Sequence, residues 1–188
     1  MLADEIRLCT ACKLRDECRQ PIPGEGPLDA KIIFIGRNPG RTEDATGKPF
    51  QGQAGNLLIR MIRALGLERE QCYITNVVKC YTKGNRIPEA QSIHTCSEKW
   101  LWRELAEHTT VSKPLIVTLG SEALHLFQPY GSIMQLTGTT HSFMNLIIFH
   151  SLHPAAPLHD QLKYQLFMET IEKLKVLYRA QGKEKSND

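Results

Sequence analysis

Four short apolar runs punctuate a chain that is otherwise mixed in polarity: residues 31–35, 72–78, 115–119 and 146–150. Each is continuous rather than alternating, so each reads as a strand buried on both faces of a sheet. Between them the apolar positions recur with helical period. Leu57, Leu58, Met61, Ile62 and Leu65 form one stripe over 54–65, and shorter helical patterns cover 98–108 and 121–127. A final amphipathic helix is predicted over 160–179, carrying Leu162, Leu166, Ile171, Leu174 and Leu177. Strands that alternate with helices require crossover connections, so the fold class is α/β: a three-layer α/β/α sandwich around a central, mostly parallel four-stranded sheet. Residues 1–30, with three prolines between 21 and 27, read as an irregular arm, and the polar stretch 181–188 reads as a frayed tail. The 188 residues are enough for a single domain over 1–188.

An open parallel sheet places its ligands beyond the carboxyl ends of the strands, so the segment after each strand carries the chemistry. The first strand runs into Gly36-Arg37-Asn38-Pro39-Gly40, and the second carries Asn76 and then Lys79-Cys80. The third ends at Gly120, and the fourth at Ser151-Leu152-His153-Pro154-Ala155-Ala156. These segments are expected to converge on one crevice.

Composition narrows the setting. The net charge of +3 permits nucleic-acid binding through a local patch without arguing for it. The N-terminus is charged at once, and no apolar run approaches a membrane span, so a cytoplasmic protein with no membrane partner is expected. In a reducing compartment thiols more often serve metals or catalysis than disulfides. Cys9 and Cys12 form C-x2-C, and Cys80 and Cys96 lie later, with fifteen residues between them. Four such thiolates suit either zinc or an iron-sulfur cluster, and spacing alone does not choose. Cys72, inside a strand, reads as a small buried hydrophobe, whereas Cys18 in the arm could replace a neighbour as ligand.

Several segments together carry a resemblance. Gly36-Arg37-Asn38-Pro39-Gly40 followed by Glu43-Asp44, then Gly47 through Gly55, Thr75-Asn76-Val77-Val78-Lys79-Cys80 with Asn85-Arg86, and His153-Pro154-Ala155-Ala156 resemble the iron-sulfur uracil-DNA glycosylases called family 4. The likeness runs from Cys9 to about Phe167 with the motifs in the family's order. It implies that Cys9, Cys12, Cys80 and Cys96 hold a structural 4Fe-4S cluster. It also implies a monofunctional glycosylase that flips a base out of DNA, reads its edge and hydrolyses its N-glycosyl bond without cutting the strand. By the same resemblance Phe50 stacks on the base, Asn76 bonds its edge, His153 donates to its carbonyl oxygen as it leaves, and Asn38 positions the attacking water. Read without the resemblance, Phe50 is a core aromatic, Asn76 a polar interruption in a strand and His153 a structural histidine. Gly36, Arg37, Gly40 and Gln51 would complete the base-binding surface. Lys48, Lys79, Lys83 and Arg86 are candidate phosphate contacts, and Leu158 is a candidate wedge for the gap left by the flipped base. DNA is the expected partner, and the protein is expected to act as a monomer.

Several positions depart from family 4, among them Thr137-Gly138, where an arginine-glycine pair is common, and His159, where an arginine is frequent. Arg37 stands where an acidic residue is usual, Gln51 replaces a small aliphatic residue, and the G-x-N-P-G loop resembles the single-strand-selective and mismatch-specific branches. Gly40 stands where the most uracil-specific branch has a tyrosine that blocks C5 substituents. Two substrates stay open: uracil, in repair, or a C5-modified pyrimidine such as the hydroxymethylated or glucosylated cytosine of viral DNA, in antiviral defence. A different class of reading is a catalytically silent iron-sulfur module that binds DNA.

Overall fold

The computed structural model describes the backbone of residues 1–184 and the side chains through 181. The sheet holds the four expected strands, β1 (Ile32–Gly36), β2 (Tyr73–Asn76), β3 (Leu115–Leu119) and β5 (Leu146–Ser151), all parallel to one another. It also holds a fifth. Strand β4 (Thr140–Phe143) pairs antiparallel with β5 at the sheet edge, giving the order β2-β1-β3-β5-β4 and correcting the expectation of four strands. Its four residues, Thr-His-Ser-Phe, alternate between exposed and half-buried. A short, half-polar edge strand carries no continuous apolar run to announce it.

Successive residues of β1 face opposite sides of the sheet, and the two cores arise from that alternation. Ile33 and Ile35 pack with Leu2, Ile6, Trp100, Leu101 and Leu105 on one side; Ile32 and Phe34 pack with Leu57, Leu58, Met61, Phe167, Ile171 and Leu174 on the other. The first set comes from α1 (Leu2–Arg7) and from the stretch running through α4 (Ala90–Cys96), a π-turn (Ser97–Leu101) and α5 (Trp102–Val111). The second comes from α3 (Gln53–Ala64) and α8 (Gln161–Glu184). Helix α2 (Arg41–Thr46) lies between β1 and α3 in sequence, and α6 (Ser121–His125) and α7 (Ile133–Leu136) lie between β3 and β4.

Two boundaries differ from expectation. The arm is not irregular throughout, because α1 buries Leu2 and Ile6, a 3-10 turn at Lys13–Asp16 buries Leu14, and Glu25 bridges to Ile74. Helix α8 continues through Glu184, so residues 181–184 are helical rather than frayed, and the rest of the expected tail lies outside the described residues. No helix of the described residues is long and apolar enough to cross a membrane. Chain order reverses across β1, with β2 on one side and β3 on the other, which opens a crevice at the carboxyl ends of these strands.

Candidate active site

That crevice is a cavity of about 490 Å³, lined among others by Arg37, Asn38, Gly40, Phe50, Asn76, Gly120, Leu152 and His153. Residues from the ends of β1, β2, β3 and β5 therefore meet as the strand pattern requires. Gly36 and Asn76 are register partners. A Cβ on Gly36 would lie 2.5 Å from both Asn76 Oδ1 and the Phe50 ring, so only glycine lets the amide and the aromatic close on each other. Asn76 is 3% exposed, yet among the described residues no protein group hydrogen-bonds its carboxamide. The carboxamide opens on the cavity, where its donor and acceptor are available to a ligand.

Phe50 sits in a strained turn with φ at 53°, a conformation rare for a bulky side chain. Two ionic groups hold it there. The Glu43 carboxylate accepts from the backbone N–H of Gly40 (2.9 Å), Gln51 (2.8 Å) and Gly52 (2.8 Å), joining the loop after β1 to the turn around Phe50. From the other side Arg69 donates to the carbonyls of Pro49 (2.5 Å) and Phe50 (3.2 Å) while paired with Glu25. Neither Glu43 as a clamp nor Arg69 was foreseen. Glu43 stands three residues after Gly40, where a capping-box glutamate belongs, and that signal was in the sequence. Arg69 lies in a surface turn between α3 and β2, and nothing local marks it.

Asn38 is buried with both ends of its amide bound. Its Nδ2 donates to Pro39 O (2.9 Å) and Thr82 Oγ1 (3.3 Å), and its Oδ1 accepts from Arg37 Nε (2.7 Å). Arg37 Nη2 reaches on to the backbone oxygen of Asn85 (2.9 Å) and to its Oδ1 (3.2 Å).

His153 stacks against Phe50, with ring centroids 5.7 Å apart and planes 27° apart. Its Nδ1 accepts from the backbone N–H of Ala155 at 3.1 Å, which places the proton of the neutral ring on Nε2. Desolvation, reinforced by the Arg37 charge and opposed by Glu43, lowers its ionisation to about 4. The neutral ring is thus the form present near neutrality, offering one N–H donor to the cavity. Phe50, Asn76 and His153 together present a flat apolar face, an amide that can donate and accept, and a neutral donor, which suits a planar polar ring.

The remaining residues proposed from sequence are dispersed. Gln51 is exposed and lines a neighbouring cavity with Lys48, which pairs with Glu25. Arg86 is half-exposed and pairs with Glu17. Leu158 lies within the turn at Ala156–His159 and is half-buried against the core. Lys79 corrects the phosphate-contact expectation outright. It is 1% exposed, and its Nζ donates to Glu104 Oε2 (2.5 Å), Thr75 Oγ1 (2.7 Å) and the carbonyl of Asn76 (2.7 Å). A buried, fully bonded ammonium cannot meet a phosphate, and this one instead pins the end of β2 at Asn76.

The cysteines gather where the arm meets the segment after β2. Cys80 and Cys96 are buried, Cys9 and Cys12 half-buried, and no two of the six cysteines form a disulfide. Cys80 ionises with more difficulty than an ordinary thiol, through its hydrogen bond with Cys18, burial, and the charges of Cys18, Cys96 and Cys12. Burial likewise pushes Cys96 up to about 12, against the Lys79 charge and backbone N–H, with Cys12 and Cys9 adding to the rise. Three N–H groups already point at sulfur: Trp100 Nε1 (3.0 Å) and Ala11 N (3.4 Å) at Cys9, and Lys79 N (3.3 Å) at Cys96. Such donors are what bound thiolates accept. Among the described residues no three His, Cys, Asp or Glu side chains form a group that could hold a single metal ion.

Comparison with known proteins places this arrangement. A family profile described as the uracil DNA glycosylase superfamily matches residues 23–175. A type-4 uracil-DNA glycosylase of Saccharolobus solfataricus is 37% identical over 185 residues, covering 93% of this chain and 84% of the relative. Another, from Sulfurisphaera tokodaii, is 37% identical over 186 residues, covering 94% and 83%. A third, from Thermotoga maritima, is 32% identical over 188 residues, covering 97% and 95%. The chain belongs to the uracil DNA glycosylase superfamily and is a DNA N-glycosylase grouped with its type-4 enzymes.

Proposed function

We propose that the protein removes uracil from DNA by hydrolysis of the N-glycosyl bond, leaving an abasic site. The observation that carries the reading is the Asn76 carboxamide, which no protein group among the described residues bonds and which opens on a cavity walled by Phe50 and His153. A flipped pyrimidine supplies the missing bonds: its edge pairs with the Asn76 amide while its face lies against Phe50. As the bond to the sugar breaks, negative charge grows on the base and positive charge on the sugar. The His153 Nε2–H is placed to donate to the carbonyl oxygen where that charge collects, and a neutral donor does so without first taking up a proton. Asn38 Oδ1, with one lone pair used by Arg37, keeps a second for an attacking water, and a cationic sugar needs little activation of its nucleophile. The lysine that lines the cavity, Lys163, is paired with Asp160 at 3.0 Å, and Lys79 is fully engaged elsewhere, which supports hydrolysis over Schiff-base chemistry.

Cys9, Cys12, Cys80 and Cys96 are the residues that would hold a 4Fe-4S cluster, and the N–H donors to the Cys9 and Cys96 sulfurs fit that use. When bound it supplies a cross-link between the arm and the segment after β2. Cys18, against Cys80, stands beside this set.

One observation favours a wider substrate. A Cβ on Gly40 would meet Glu43 Oε2 and otherwise no close neighbour, so no side chain closes the cavity there, and a C5-substituted pyrimidine is accommodated. Oligonucleotides bearing uracil, and DNA bearing hydroxymethylated or glucosylated cytosine, incubated with the protein and treated with alkali, test both readings. Cleavage at uracil supports the first and cleavage at the modified base the second. Cleavage at neither by brown, folded protein sinks the proposal.

A further inference from the structure

We propose that Arg37 is a positioning residue, which sets the carboxamide of Asn38 for the water that attacks the sugar and takes no direct hold of base or phosphate. The inference rests on the reading of Asn38 given above. An asparagine amide has two ends of nearly equal size and opposite hydrogen-bonding sense, so its use depends on which end faces the reactants. Around Asn38 every partner has a fixed sense. Pro39 O can only accept, and it takes Nδ2. Thr82 spends its hydroxyl proton on the Arg86 carbonyl, leaving a lone pair toward the same Nδ2. The Arg37 guanidinium can only donate, and its Nε takes Oδ1 at 2.7 Å.

The other edge of the same guanidinium explains why arginine stands here. Its Nη2 holds both the carbonyl and the side-chain oxygen of Asn85, a cavity-lining residue with φ at 54°. Arg37 thus fastens the 83–85 turn and the Asn38 amide in one planar fork. A lysine offers one ammonium and cannot span both. Its Nε and Nη2 are engaged on protein oxygens and only Nη1 is left for another acceptor, so DNA affinity reports whether Arg37 also serves as a phosphate contact.

The test uses purified protein carrying its iron, and whichever base of the DNA panel it excises fastest. Single-turnover excision rate and DNA affinity are measured for Arg37→Ala, Arg37→Lys, Asn38→Ala and the Arg37→Ala/Asn38→Ala double variant, with circular dichroism as the check on folding. Arg37→Ala and Arg37→Lys are both expected to slow excision by about 10- to 100-fold, the scale of a misplaced reacting group. Their DNA affinity should stay within about twofold, since no phosphate contact is lost. The double variant should be no slower than Asn38→Ala alone, because the effect of Arg37 on the rate is proposed to run through that amide. Three results overturn the assignment: a wild-type rate in Arg37→Ala, a defect confined to affinity with a shallower salt dependence, or additive losses in the double variant. Should Arg37→Ala destabilise the fold, Arg37→Lys carries the same comparison. Full activity in Asn38→Ala sinks the reading of Asn38 itself, a separate failure.

Discussion

His153 yields the sharpest prediction about catalysis. Its Nδ1 is occupied by the Ala155 N–H, and its ionisation lies at about 4 because desolvation and the Arg37 charge outweigh Glu43. At pH 5.5 an ordinary imidazole is about 90% protonated, whereas one titrating near 4 is about 3% protonated. Protonation below pH 4 would add a proton at Nδ1 and break the bond to Ala155. The excision rate should therefore stay level from pH 8 down to about 5.5 and halve only near 4. The assay is single-turnover excision from a labelled oligonucleotide across pH 4–8, with circular dichroism in each buffer separating loss of chemistry from loss of fold. Arg37→Ala removes one of the two lowering influences, so its acid limb should move toward higher pH. His153→Ala should cost about 10²- to 10³-fold in rate, as for a lost donor at a developing oxyanion. An acid limb centred near pH 6.5 in the wild-type protein, or an unimpaired His153→Ala, would refute the neutral-donor reasoning.

Stability and shape are open to test as well. His150 is fully buried, bonded to Thr118 and His141, and held to about 4 by burial and then by His141. Its folded value lies below the unfolded one near 6.5, so its neutral form stabilises the fold above that pH. As pH falls from 6.5 to 4 the fold should lose about 3 kcal/mol, and denaturant titrations at pH 7 and 4.5 that superimpose would contradict this. Lys79→Met strands the Glu104 carboxylate in the core and should cost about 3–5 kcal/mol, largely recovered when Glu104→Leu is added; a weakened, less salt-sensitive DNA affinity in the double variant would point back to a phosphate contact. Gly36→Ala should cut excision by on the order of 10²-fold, because the new methyl meets Asn76 and Phe50, while thermal stability changes little by comparison; unaltered kinetics would mean that the two need not close on each other.

Much of this was legible in the chain because apolar periodicity reports burial. Strands β1, β2, β3 and β5 are apolar on both faces, and that continuity exposed them, while the four polar-leaning residues of β4 gave no such signal. The convergence of Asn38, Phe50, Asn76 and His153 came from strand ends in a parallel sheet together with a recognisable motif order. Lys79 was misread because a lysine at a strand end looks solvated, and its partner Glu104 lies 25 residues on, upon a helix whose sequence does not mark the inward position. Arg37 does line the cavity, but the hydrogen bonds it makes there were not readable from the chain. Its acceptors are an adjacent amide and a turn 48 residues away, and pairings across such separations leave no local trace.

The Glu43 carboxylate, shared between Gly40 on one loop and Gln51 and Gly52 on the next, bears on how such a site can be transplanted. The loop after β1 and the aromatic turn are one stitched piece, so a substrate-specificity graft that swaps Gly36 through Gly40 alone would import the lining without its fastening. A chimera keeping residues 36–52 as a block, with Arg69 behind it, retains both sides of the seam. The exchangeable unit is therefore seventeen contiguous residues and one distant arginine, rather than the five of the recognisable motif.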